Sequence, residues 1–207
     1  MAKLPDAPSP RELGKTPPEL ATLPNGTRIA RIYFHGGPFP SAWTSFRDHG
    51  PLLARFDPHE PPPRKQSRAT LYGALSVVTC LAEIFQQTRI IERAVDAPWL
   101  TIFAIRRPIV LLDLTGAWPT RAGASMAIHS GPRPRARGWA RAIYEAYPAV
   151  EGLLYCSSMD ANRPAVALFE RAVSSMPARP AFNRALSDPG LQARIAVSAR
   201  RLGYAIR

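Results

Sequence analysis

Cysteine is nearly missing from this chain: among its 207 residues only Cys80 and Cys156 occur. Two thiols cannot build the disulfide framework of a stapled secreted miniprotein. Metal patterns are missing too. The four histidines, His35, His49, His59 and His129, never pair at i, i+4, and the two cysteines lie far apart, so no metal site is expected. Gly36-Gly37 runs into Pro38 and lacks the spacing of a phosphate loop or a dinucleotide fingerprint. No Gly-x-Ser-x-Gly elbow serves a serine hydrolase. Long apolar runs are also lacking, since Glu83 and Arg106-Arg107 interrupt those that begin, and no segment is expected to span a bilayer. Residues 1–13 carry no apolar stretch of the secretory kind. The expectation is a soluble, cytoplasmic single domain.

Acidic residues are scarce. Asp and Glu number 15 against 27 Lys and Arg, a net charge of +12. Only Lys3, Lys15 and Lys65 are lysines, so the excess is almost all arginine, a skew that genome base composition also produces. No helix-turn-helix, zinc finger or RNA motif accompanies it, which favours a solvated basic surface over a specific DNA reader. What is plentiful is apolar residue, 46% of the chain, which places it among globular proteins rather than disordered ones.

Residues 1–24 hold six prolines and few large apolar groups, and read as a tail or an extended wrap. A domain over 25–175 and a basic helical extension over 176–207 follow. Pro58–Pro63 and the basic Arg64–Arg68 read as an exposed loop within the domain. Strands are expected at Arg28–Phe34, which places Ile29, Arg31 and Tyr33 on one face, and at Thr70–Leu75, Leu100–Ile105, Ile109–Leu114 and Gly152–Ser157. Ser76 can cap a helix running to about Arg89. Trp139, Ile143, Ala146 and Tyr147 share a helical face, and Pro189 starts a C-terminal helix. Periodicity leaves Val166–Arg171 open between strand and helix. The irregular mixture indicates an α+β class rather than strict βαβ alternation. On the Ser76 helix, a 100° step gathers Val77, Leu81, Ile84, Phe85 and Thr88 on one side and puts Glu83 on the other, near Cys80 and Gln87. By pattern alone that is a carboxylate on a wet face. The lack of any other charge from Leu71 to Phe85 weakens that reading.

Five short blocks, in this order and spacing, carry a resemblance: Arg31-Ile-Tyr-Phe34, Ala54-Arg-Phe-Asp57, Leu71-Tyr-Gly-Ala74, Cys80-Leu-Ala-Glu-Ile-Phe85 and Gly152-Leu-Leu-Tyr-Cys-Ser157. Together they resemble the RES-domain family over residues 27–173. Each block is short; the ordered set is the signal. The resemblance implies a single-domain fold like that of ADP-ribosyltransferases, a mixed β-sheet flanked by helices. It also implies a toxin of a bacterial toxin–antitoxin module that degrades NAD⁺, with water, phosphate or a macromolecule as acceptor. The implied partner is an Xre-type helix-turn-helix antitoxin, through which alone DNA is reached. NAD⁺ enters as substrate, and no cofactor is implied.

The residue types suit that chemistry. Cleaving the nicotinamide–ribose bond builds positive charge on the sugar. A carboxylate beside the ribose stabilises that charge, and Glu83 is assigned the role. Guanidinium forks grip phosphates, and Arg31 and Arg55 are assigned to the NAD⁺ diphosphate. Tyr72 would stack on the nicotinamide or position the ribose. Ser157 would donate to the nicotinamide ribose or a phosphate, and no base is paired with it to make it a nucleophile. Arg31, Glu83 and Ser157 are thus the expected catalytic set. Ala54 stands where many family members carry glycine. The Arg121–Arg141 stretch, which includes His129, Arg133, Arg135 and Arg137, holds no acid and is either a solvated face or an attractor of an anionic substrate or acidic antitoxin segment. Two rival readings remain beside NAD⁺ degradation. One is ADP-ribosylation of a protein or nucleic-acid acceptor. The other is a basic binding module without catalysis.

Overall fold

The alternating stretch Arg28–Phe34 forms a seven-residue strand, and the rest of the fold is arranged around it. The computed structural model describes residues 3–207. In chain order its elements are α1 (Pro10–Leu13), β1 (Leu20–Leu23), β2 (Arg28–Phe34), β3 (Arg47–Gly50), β4 (Arg64–Ala74), α2 (Val77–Ile84), β5 (Ile90–Ile91), β6 (Pro98–Ala104), β7 (Ile109–Asp113), α3 (Trp118–Arg121), α4 (Arg133–Ala146), β8 (Gly152–Cys156), β9 (Pro164–Phe169), β10 (Phe182–Ala185), α5 (Gln192–Leu202) and β11 (Ala205–Ile206). Among the described residues nine strands form one sheet in the order β1-β7-β8-β9-β4-β2-β6-β10, with β3 also paired to β4. β7 and β8 run parallel, and the other neighbours run antiparallel. β5 and β11 make a separate parallel pair. This is the α+β arrangement expected, a mixed sheet with helices against it. Among the described residues no helix is long and apolar enough to cross a membrane.

Side-chain alternation divides the core into two layers. Ala30 and Ile32 of β2 face a larger cluster with Leu81, Phe85, Trp139 and Ile143. Ile29, the residue before Ala30, faces a smaller cluster with Leu71, Phe103 and Val166. Of the stretch left open between strand and helix, Val166–Phe169 belongs to β9, paired antiparallel with β4 and β8, and Glu170–Arg171 begin a 3-10 helix. Helix α4 buries Ala136, Trp139, Ala140 and Ile143 along one stripe at helical spacing. It stops at Ala146 because Tyr147 precedes Pro148, and a residue before proline avoids helical backbone.

Of the two readings of residues 3–24, tail and extended wrap, the structure shows the wrap; the readings of Arg64–Arg68 and of the Ser76 helix are corrected. β1 extends the sheet through β7, Leu4 and Leu13 are buried, and the Trp139 indole donates to the Pro5 carbonyl at 3.0 Å. The few apolar groups are spent as anchors, and α4 supplies donors for the backbone between them. Arg64–Arg68 is not loop but the outer half of β4, paired with β3, and the prolines end just before it. Pro58 and His59 ahead of it are buried. The Ser76 helix is capped as expected, with Ser76 Oγ accepting from Thr79 N at 3.1 Å. It ends at Ile84 and continues as turns, and Arg89 then takes a left-handed backbone with φ of 54° that a helix cannot use. At the C-terminus, Phe182–Ala185 joins the sheet beside β6 before Pro189 opens the turn into α5.

Candidate active site

β2 and β4 meet in register only at Ala30↔Ala74. Gly73 permits even that approach, since a Cβ there would lie 2.5 Å from Ile29 Cγ2. Beyond that point α2 packs against β2. Burial pushes the Cys80 thiol up to about 12, with the Ile32 backbone pulling the other way. Glu83 is carried on this helix. Thr79, Cys80, Leu81 and Ala82 are all buried. The side of α2 that carries Cys80 is not a wet face, and Glu83 itself is half-buried. The expected solvent face was drawn from apolar residues alone; small Cys, Thr and Ala side chains make the second buried face.

Ser157 stands at the end of β8. Its Oγ accepts from the backbone N–H groups of Met159 and Asp160, both at 3.2 Å, and donates to Glu83 Oε1 at 2.5 Å. Asp160 is buried and accepts from Thr79 Oγ1 at 2.7 Å and from Arg201 at 3.2 Å. One turn thus locks the start of α2, the end of β8 and the C-terminal helix α5 together. Tyr204, after α5, donates to the Ala82 carbonyl at 3.3 Å.

The Ala54–Asp57 block supplies a second wall. Asp57 is fully buried, paired with the Arg47 guanidinium, and accepts from Leu52 N at 2.8 Å. The Tyr72 hydroxyl accepts from Phe56 N at 3.1 Å and donates to Asp57 Oδ1 at 3.3 Å. Phe56 packs on Tyr155, ring centroids 4.8 Å apart. Next to the fixed Phe56 and Asp57, Arg55 Nη1 donates to the Gly131 carbonyl at 2.6 Å, and the Arg55 charge acts on Glu83. Arg133 approaches from the first turn of α4. Its Nη2 donates to Gln86 Oε1 at 2.9 Å, and Gln86 Nε2 donates to the Glu83 carbonyl at 2.7 Å.

Burial pushes the Glu83 carboxyl pKa up, while the Ser157 hydroxyl and the charges of Arg55 and Arg133 pull it back down. Burial lowers the Arg55 pKa, and repulsion from Arg133 lowers it further. Among the described residues no group of three or more His, Cys, Asp or Glu side chains is disposed to hold a metal.

Four of the expected residues, Arg55, Tyr72, Glu83 and Ser157, are brought into one neighbourhood. Arg31 makes no hydrogen bond or ion pair with them. Its guanidinium is buried, its Nε and Nη1 lack hydrogen-bond partners, and burial brings its pKa down to about 10. The charges of Arg31 and Glu83 both act on the Cys80 thiol. The face that Ile29, Arg31 and Tyr33 share is not an open wall of the site: Ile29 is core, and the Tyr33 hydroxyl donates to Asn183 Oδ1 at 3.1 Å. Sequence reasoning did not single out Gln86, Asp160 or Tyr155, and it grouped Arg133 with a whole basic stretch. Gln86 had a signal, being three residues beyond Glu83 on the same helical face. Asp57 had one too, inside the Arg-Phe-Asp block.

The RES domain matches residues 28–188. The chain belongs to the RES-domain family. This RES domain is similar in fold to a chain in the crystal structure of the M. tuberculosis MbcT–MbcA toxin–antitoxin complex. The TM-score is 0.58 and the identity 14%, over 93% of this chain and 95% of that one. No curated protein matches the sequence. The residues around Glu83 fall within the RES match, whereas Arg201 and Tyr204, which brace it, fall beyond residue 188.

Proposed function

We propose that this RES-domain protein is the toxin of a toxin–antitoxin module and degrades NAD⁺ by breaking the bond between nicotinamide and ribose. The observation that carries the reading is the Glu83 carboxylate, fixed through Oε1 by Ser157 and flanked by Arg55 and Arg133. The C1′–N bond breaks with its electron pair going to the nicotinamide nitrogen, which leaves as the neutral amide. The ribose becomes oxocarbenium-like, and Glu83 stabilises the developing charge. Oε2, the oxygen not held by Ser157, is the one directed at the ribose. Water or inorganic phosphate then adds to C1′ and releases a proton. The arginines favour the ionised form of Glu83 against the burial that opposes it, and attract the anionic substrate. Ser157 acts on Glu83 rather than on substrate, which revises the role assigned from sequence. No cofactor enters. The partner is an Xre-type helix-turn-helix antitoxin in the cytoplasm; the similarity to a chain of a toxin–antitoxin complex supports a protein partner of that kind.

The test is to incubate antitoxin-free protein with NAD⁺ labelled in its adenylate half, with and without inorganic phosphate. Release of nicotinamide with a small labelled product is expected. Label on a discrete macromolecule would move the reading to ADP-ribosyl transfer. Absence of nicotinamide under both conditions would overturn it.

A further inference from the structure

Gln86 links Arg133 to the Glu83 backbone, Gly131 ties Arg55 to the same segment, and the charges of both arginines act on the single Glu83 carboxylate, so positive charge outnumbers negative at this place. Among the described residues neither Arg55 nor Arg133 makes an ion pair as close as a salt bridge. Each spends one nitrogen on a neutral oxygen, Gly131 O for Arg55 and Gln86 Oε1 for Arg133. A guanidinium has five N–H donors, so most of each fork is unspent. Their mutual repulsion is relieved when a multiply charged anion lies between them.

The basic stretch does not contribute indiscriminately. Arg121 is turned to Glu19 and Arg135 to the Leu4 carbonyl, whereas Arg133 faces the Glu83 site. Arg55 is bonded to Gly131, two residues before Arg133, so one short segment fixes both arms. Gln86 then bridges Arg133 to the Glu83 backbone and sets the spacing between cation and carboxylate.

We propose that Arg133 and Arg55 form a two-armed clamp for the diphosphate of NAD⁺, with Gln86 the positioning residue that holds the Arg133 arm. This rests on the NAD⁺ reading of the site and adds the side chains that take the diphosphate. It makes Arg133 a substrate-binding residue.

The experiment compares the wild-type chain with Arg133→Ala and Gln86→Ala. Inorganic diphosphate binding is titrated calorimetrically, and NAD⁺ kinetics are measured on the alkaline plateau, where Glu83 is ionised in every variant. Arg133→Ala is expected to weaken diphosphate binding and raise KM for NAD⁺ by roughly tenfold to a hundredfold, with kcat falling less than KM rises. Gln86→Ala moves both quantities the same way by roughly threefold to tenfold, and stands in for Arg133→Ala if that variant fails to fold. Unchanged diphosphate affinity and KM in a folded Arg133→Ala, with NAD⁺ still cleaved, would overturn the clamp and leave the NAD⁺ reading intact. Diphosphate binding that depends on Arg133, with NAD⁺ left uncut by the wild type, would uphold the anion site and sink that reading.

Discussion

Ser157 Oγ lies 2.5 Å from Glu83 Oε1, although 74 residues separate the two in the chain. The hydroxyl already accepts two backbone N–H bonds. Its single proton therefore has one place to go, and the carboxylate receives it.

Removing that proton donor has a defined sign. The bond favours ionised Glu83, so Ser157→Ala lets burial raise the carboxyl pKa further. The acid limb of the kcat/KM profile is expected to move to higher pH by about one unit, so activity on that limb falls by up to roughly tenfold. Ser157→Thr, which keeps a hydroxyl, restores the profile if the added methyl is accommodated. An acid limb that stays in place in Ser157→Ala would show that the bond does not control Glu83.

Asp160 holds the turn that presents Ser157. It is buried, and Asp160→Ala strips Thr79 Oγ1 and Arg201 of their acceptor. A loss of about 2–4 kcal/mol in denaturant unfolding is expected. Arg201 is exposed, so Arg201→Ala is expected to cost only about 1 kcal/mol. Equal losses in the two variants would contradict the account of this turn.

The amino-terminal segment is part of the core. Leu4 is buried in the larger apolar cluster, so Leu4→Ala is expected to destabilise the protein by about 2–4 kcal/mol. A change under about 0.5 kcal/mol, the size of a surface substitution, would return residues 3–24 to the status of a tail.

His59 sets an acid sensitivity. It is fully buried, and burial together with the Arg47 charge lowers its pKa, outweighing Asp57 and the backbone of Arg47 and Arg68, which raise it. The unfolded chain binds this proton near pH 6.5, and the folded chain binds it only at lower pH. Stability therefore falls as pH drops from about 6.5 toward the lowered folded value, by at most about 1.4 kcal/mol per pH unit for one proton. Urea unfolding across that range checks it, and His59→Gln is expected to flatten the dependence.

Local chemistry made part of this protein legible before any coordinates. The alternation of Arg28–Phe34 marks β2 to the residue, and Ser76 marks the start of α2. Glu83, Arg55, Tyr72 and Ser157 stood out through short ordered blocks. What stayed hidden depends on distant neighbours. Nothing in the spacing of a run of arginines says that Arg133 turns inward while Arg121 turns to Glu19. Helical periodicity put Glu83 on a wet face because it weighs large apolar groups and misses the burial of Thr79, Cys80 and Ala82 where β2, β4, β9 and α5 pack on α2. The amino-terminal strap is invisible to composition because its order comes from donors on α4 and a register with β7.

The most direct measurement is nicotinamide release from NAD⁺ by the wild-type chain and by Glu83→Gln, each freed of antitoxin and each shown to be folded by its melting temperature. Glu83→Gln keeps an oxygen for Ser157 but loses the negative charge. The account predicts steady release by the wild type and a loss of at least about a hundredfold in kcat for the variant. Equal turnover by the two proteins would contradict it.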